Sequence, residues 1–131
     1  MSRIENAKID STTLGVEDHG ILTCMLMLSG DGWGIGFGGY AMDEPEKDEA
    51  GKFVGRRGTA FGAEYIRLLL ETLQVKRWED LPGTIVRVET EGGCGGRALR
   101  IGHALKDRWF DPKALAATYE PEAAARAEPQ P

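Results

Sequence analysis

Several places in this sequence bring together residue types that can do chemistry. Cys94 stands between two glycine pairs, Gly92-Gly93 and Gly95-Gly96, with His103 following. A thiol nucleophile needs a base within hydrogen-bond reach and usually a third group to orient that base. The tip of a short hairpin is exposed and mobile, which suits such a dyad poorly. Glu17-Asp18-His19 carries metal-ligating atoms, but the chain has only 2 histidines and no regular ligand spacing, so this stretch reads as a solvated turn. Gly34-x-Gly36-x-x-Gly39 is formally a dinucleotide fingerprint. That fingerprint requires a helix opening at its third glycine. Tyr40-Ala41-Met42-Asp43-Glu44-Pro45 follows instead and does not read as a helix. No nucleophile elbow and no GK[ST] phosphate loop occurs. These stretches give no convincing catalytic set.

Arg56-Arg57-Gly58-Thr59 places two guanidinium groups just ahead of a helix start. Unpaired amides and the helix dipole favour an anion there, and Arg recognises phosphate bidentately. The plainer alternative is that both arginines neutralise the acidic stretch at 43–49. Lys106-Asp107-Arg108-Trp109-Phe110 offers cations beside a stacking surface, or a loop anchored in the core by Trp109 and Phe110. Core burial is the expectation for those two rings. Glycine occupies every even position from Gly30 to Gly38, with Trp33, Ile35 and Phe37 between them. At a period of two, one strand face is bare backbone and the other is apolar. The bare face admits a flat ring, another backbone or a second subunit, or it relieves crowding beneath a helix.

The elements that must position these groups follow from pattern. A first strand covers 2–11, and the apolar run Ile21 to Leu28 between Gly20 and Gly30 reads as a buried strand. The acidic stretch 43–49 reads as a solvated loop. Ile66, Leu69, Leu70 and Leu73 fall on one face of a helix capped by Thr59. Leu81-Pro82-Gly83 is a turn, and 84–91 and 97–103 form a hairpin. Asp111-Pro112 opens a short helix ending near Thr118. The expectation is an α+β fold: one domain over 1–118, made of a small antiparallel sheet, one long helix and a short C-terminal helix. Residues 119–131, rich in Ala, Glu and Pro, are expected to be a disordered tail.

Composition narrows the partners. The 131 residues are 41% hydrophobic and 28% charged, in the globular range. The net charge of −5 disfavours a duplex nucleic-acid binder, which must neutralise phosphates. No apolar run reaches the roughly 18 residues of a membrane span, and Met1 to Asn6 does not read as a secretory signal. Cys24 and Cys94 form no CxxC pair and read as free thiols. A cytoplasmic protein without a cofactor is the expectation.

Several segments together carry a resemblance. Ile4-Glu5-Asn6-Ala7-Lys8-Ile9, Leu14-Gly15-Val16-Glu17-Asp18-His19-Gly20 and Gly36-Phe37-Gly38-Gly39-Tyr40 come first. Gly58-Thr59-Ala60-Phe61-Gly62, Trp78-Glu79-Asp80-Leu81-Pro82-Gly83 and Lys106-Asp107-Arg108-Trp109-Phe110-Asp111-Pro112 complete the pattern. The chain thereby resembles the first-described Thoeris anti-defence proteins of phages, up to about Leu115. These are sponges for the cyclic ADP-ribose signal of bacterial TIR-domain defence enzymes. The resemblance implies binding of glyco-cyclic ADP-ribose at a subunit interface, with no catalytic residues and no metal. It also implies a homodimer or hexamer, with cyclic di- or trinucleotides as a second ligand class. Read from residue chemistry against such a ligand, Phe37, Gly38, Gly39 and Tyr40 are expected to take the base, and Arg56, Arg57, Thr59, Lys106 and Arg108 the phosphate. The Gly92–Gly96 tip matches no part of the family pattern.

Two other classes stay open on sequence. One is an acidic inhibitor of a host nucleic-acid-targeting complex, in the manner of an anti-CRISPR, although the acids concentrate in one stretch and the tail. The other is an enzyme, either a hydrolase built on Cys94 or a nucleotide-degrading protein.

Overall fold

The computed structural model describes residues 2–92 and 96–119. It is α+β, as the pattern implies. β1 (Ser2–Asp18), β2 (Ile21–Gly30) and β3 (Trp33–Gly38) form a meander. β4 (Asp43–Lys47) and β5 (Phe53–Gly58) follow, then α1 (Ala60–Leu73). A 3₁₀ turn at Trp78–Asp80 leads into β6 (Ile85–Glu91), β7 (Arg97–His103), β8 (Trp109–Phe110) and α2 (Pro112–Ala117). The main sheet has six strands in the order β3-β2-β1-β6-β7-β8, every neighbouring pair antiparallel. β4 and β5 make a separate two-stranded sheet. Among the described residues no helix is long and apolar enough to cross a membrane.

Register decides which side of β3 is bare. Leu26 lies opposite Phe37 and Leu28 opposite Ile35, so the large groups of β3 join the buried face of β2. Gly34, Gly36 and Gly38 lie opposite Ser29, Met27 and Met25 on the other face. The glycines therefore point away from α1, and relief of crowding beneath that helix is not their role. The sheet curls until its two ends meet. Phe37 of β3 sets its ring edge against Phe110 of β8, with centroids 6.3 Å apart. Tyr65 of α1 meets the same Phe110 ring at 4.8 Å, which seats the helix against the core.

Four expectations need correction. β1 runs well past residue 11, to Asp18, because the His19-Gly20 turn closes it onto β2. Both turn residues have positive φ, 55° and 76°, as a tight hairpin requires. The acidic stretch is strand β4 and not a loop. It pairs with β5, where Glu44 faces Arg57 and Pro45 faces Arg56. The helix face is rotated: Gly62, Tyr65, Leu69, Thr72 and Leu73 are buried, while Ile66 and Leu70 flank the contact. Trp109 is outside the core. Its ring lies over Gly102, with the guanidinium carbons of Arg87 and Arg100 at 4.8 and 4.4 Å from the ring centre. Phe110 is buried as expected. Thr59 and Asp111 cap the two helices, accepting from the amides of Gly62 and Ala114. The tail expected over 119–131 lies outside the described residues from Glu120 onward.

The core contains two acidic protons that give a pH dependence. Burial pushes the Cys24 thiol up to about 12, and raises the Tyr65 phenol too. Above about pH 8.5 an unfolded thiol releases its proton while the folded one keeps it, so stability falls as pH rises. Urea unfolding at pH 7.5 and 9.5 should show wild type losing about 1 kcal/mol more than Cys24→Ala over that interval. Equal losses would show that Cys24 is not buried as a thiol.

Candidate functional site

Between the open edge of β3 and the start of β7, which β8 leaves unpaired, lies a cavity of about 570 Å³. Residues 34–40 form one wall, 96–98 the other, and Pro112 of α2 closes an end. The volume is in the range of small-molecule sites. Three features make the β3 wall. Gly34 presents bare backbone, whereas the Met25 side chain lies over Gly36, its sulfur 2.9 Å from where a Cβ would stand. Gly38 takes φ +129°, and a Cβ there would stand 2.4 Å from the Cys24 carbonyl oxygen. Tyr40 ends the wall, half-buried, its ring tilted against Phe61 at 6.1 Å and Tyr65 at 5.8 Å. A second cavity of about 360 Å³ adjoins the first, sharing Tyr40, Arg97 and Ala98. Its lining adds the charged groups Glu89, Glu91, Arg100, Asp111 and Lys113.

The residues expected to bind ligand separate into two sets. Phe37, Gly38, Gly39 and Tyr40 all line the first cavity. Phe37 is only 2% exposed, so its ring serves the core, and Tyr40 is the aromatic face on offer. Arg56, Arg57, Thr59, Lys106 and Arg108 line neither cavity. Arg56 donates to Asp43 at 2.8 and 3.0 Å, and Arg57 to Glu44 at 3.3 Å, which is the neutralisation alternative. The Thr59 hydroxyl is engaged twice, accepting from Gly62 and donating to the Met42 carbonyl at 3.1 Å. The Lys106 carbonyl accepts from Arg87, and the Arg108 carbonyl from the His103 amide. The residues that pattern reading missed are Arg97, Arg100, Lys113, Glu89 and Glu91. The one available clue was that 97–103 and 84–91 form a hairpin, so charges flanking its turn must be neighbours.

The other candidates have structural partners. His103 Nδ1 accepts from the amides of Leu105 and Lys106, both at 3.1 Å. Cys94, its suggested companion, lies outside the described residues. His19 pairs with Asp18 at 2.7 Å in an exposed turn. Among the described residues no three His, Cys, Asp or Glu side chains group to hold a metal ion.

Asp43 ties the small sheet to the large one. Its carboxylate accepts from Arg56 and from the Leu22 amide of β2 at 3.1 Å. The Arg56 bond, followed by the amide and charge, holds its ionisation below the usual carboxylate range. A lowered folded pKa stabilises above about pH 4, and that stability is lost as pH falls through the folded value. Asp43→Asn should lower Tm by a few degrees at pH 7, with the difference shrinking towards pH 2–3 in thermal melts. A difference that persists unchanged in acid would show that the charge plays no part.

No family model, curated protein or solved structure matches this chain.

Proposed function

We propose that this protein binds and sequesters a cyclic nucleotide immune signal of the cyclic ADP-ribose type, without cleaving it, so that the signal cannot activate its effector. The observation that carries this reading is a coincidence of motif and cavity. Gly36-Phe37-Gly38-Gly39-Tyr40, one of the segments that gives the resemblance to Thoeris anti-defence sponges, is the wall of the 570 Å³ cavity. A glycine floor lets a planar base lie close to backbone, and Tyr40 offers a ring at its end. Cyclic oligonucleotides share this chemistry and are the second ligand class of the proposal. The setting implied is the cytoplasm of an infected bacterium.

The same reading makes the protein a homodimer or hexamer. Phe53 and Val54, adjacent on β5, are 56% and 57% exposed, and Ile4 and Ile85 are open on the main sheet. Such groups are covered well by a second copy. In that assembly Arg57 and Arg108, remote from the cavity in their own subunit, reach ligand across the interface. Affinity unchanged in Arg57→Ala would remove that assignment.

The decisive experiment is titration with glyco-cyclic ADP-ribose, then heat denaturation and mass analysis of the released ligand. Tight binding with intact ligand supports sequestration. An altered product moves the protein to the enzymes. Absence of binding removes the proposal and leaves inhibition of a host complex as the leading reading. Sequestration also demands that the protein hold free ligand below the effector's dissociation constant, so both affinity and abundance matter.

A further inference from the structure

We infer that the smaller cavity, between Tyr40 and the start of β7, is a subsite for a ribose phosphate; this rests on the nucleotide-binding reading and assigns the polar half of the ligand. Its rim is mixed in charge. Arg97 and Lys113 form no ion pair among the described residues, whereas Arg100 is held by Glu89. Glu91 and Asp111 stand on the same rim, and Asp111 uses one carboxylate oxygen, Oδ1, to cap α2.

A site built for a bare anion would not carry two carboxylates, since each repels phosphate at close range. Ribose phosphate needs both signs. Its phosphate accepts from a guanidinium and an ammonium, and its hydroxyls donate to carboxylates. A carboxylate on a ribose diol is also how dinucleotide-binding folds hold the sugar. Tyr40, Arg97 and Ala98 belong to both cavities, so the two spaces are neighbours. A base on the glycine floor therefore places its ribose and phosphate at Arg97, Lys113 and Glu91. The preference that follows is for phosphate-and-diol ligands over inorganic pyrophosphate.

Calorimetric titration of the full chain with cyclic ADP-ribose, ADP-ribose, ribose 5-phosphate and pyrophosphate tests this, using Arg97→Ala, Lys113→Ala and Glu91→Gln. Each Arg97 or Lys113 substitution should weaken the nucleotides about tenfold or more, as expected for hydrogen bonds to charged groups. Glu91→Gln should weaken them about fivefold and leave pyrophosphate no weaker. Pyrophosphate binding as tightly as the nucleotides, or Glu91→Gln strengthening them, would make this a plain anion site and overturn the assignment. Nucleotide binding indifferent to all three substitutions would overturn the subsite while sparing the sequestration reading. Loss of cyclic ADP-ribose binding alone, with ADP-ribose or ribose 5-phosphate still sensitive to Arg97→Ala, would do the reverse. If no ribose phosphate binds, both fall.

Discussion

Gly62→Ala is expected to destabilise the protein by about 3 kcal/mol or more, lowering Tm by about 10 °C, although alanine is the better helix former. Local preference alone gives the opposite sign, since Gly in a helix costs up to about 1 kcal/mol relative to Ala. The difference lies in what a methyl group would meet. A Cβ on Gly62 would stand 2.4 Å from the Met42 carbonyl oxygen and 2.6 Å from the Met42 Cβ. Met42 cannot step aside. Its carbonyl accepts from both the amide and the hydroxyl of Thr59, and its own amide donates to Leu22 of β2 at 2.8 Å. Its side chain is 1% exposed in the core. Relief must come from lifting α1, which pulls Tyr65 and Leu69 from the sheet. Gly15→Ala is the control: a Cβ there has nothing within 4 Å, so its Tm should stay close to wild type. A rise in Tm for Gly62→Ala would disprove the seating of α1 on Met42.

That contact also shows why some of the fold was readable from sequence and some was not. The strand Ile21–Gly30 and the caps Thr59 and Asp111 are local effects, set by a run of apolar residues or by one side chain and an amide three residues on. The helix face was displaced because aliphatic spacing ignores Gly62 and Tyr65, whose burial comes from Met42 and Phe110, distant in sequence. The strand at Asp43–Lys47 was hidden for the same reason. Its composition reads as solvated until the arginines of β5 lie opposite. Trp109 leaves the core because Gly102 gives it a flat bed and Arg87 and Arg100 cover its ring, an arrangement of three strands that no local window contains.

The candidate site divides along the same line. The glycine alternation of β3 could be read directly, since a period of two fixes a bare face. Which way that face points depends on the register with β2. The polar half, Arg97, Glu91 and Lys113, depends on a hairpin and a helix arriving at one place. The arginines that look most like phosphate ligands in sequence, Arg56 and Arg57, are paired across β4 and β5 within the chain. Spacing along the chain identified cations, and only the topology shows which of them face a cavity.

Filling the glycine floor should then separate binding from folding. Gly34→Leu is expected to reduce affinity for cyclic ADP-ribose at least about 100-fold with Tm unchanged or slightly raised. Gly34 is exposed on β3, and a Cβ there meets only the Leu28 carbonyl oxygen at 3.4 Å. Its φ is not in the left-handed region, unlike that of Gly38, where any side chain would be strained. Glycine weakens a strand by about 0.5–1 kcal/mol relative to alanine, so replacing it has no cost to offset in the free protein. The added isobutyl group instead takes the space that a base would occupy over the backbone, and no rotation of Tyr40 restores it. Calorimetry and thermal melts on the same preparation give both readouts. Wild-type affinity in a folded Gly34→Leu protein would show that the ligand does not use this cavity, and would move the search to the faces carrying Arg57 and Arg108.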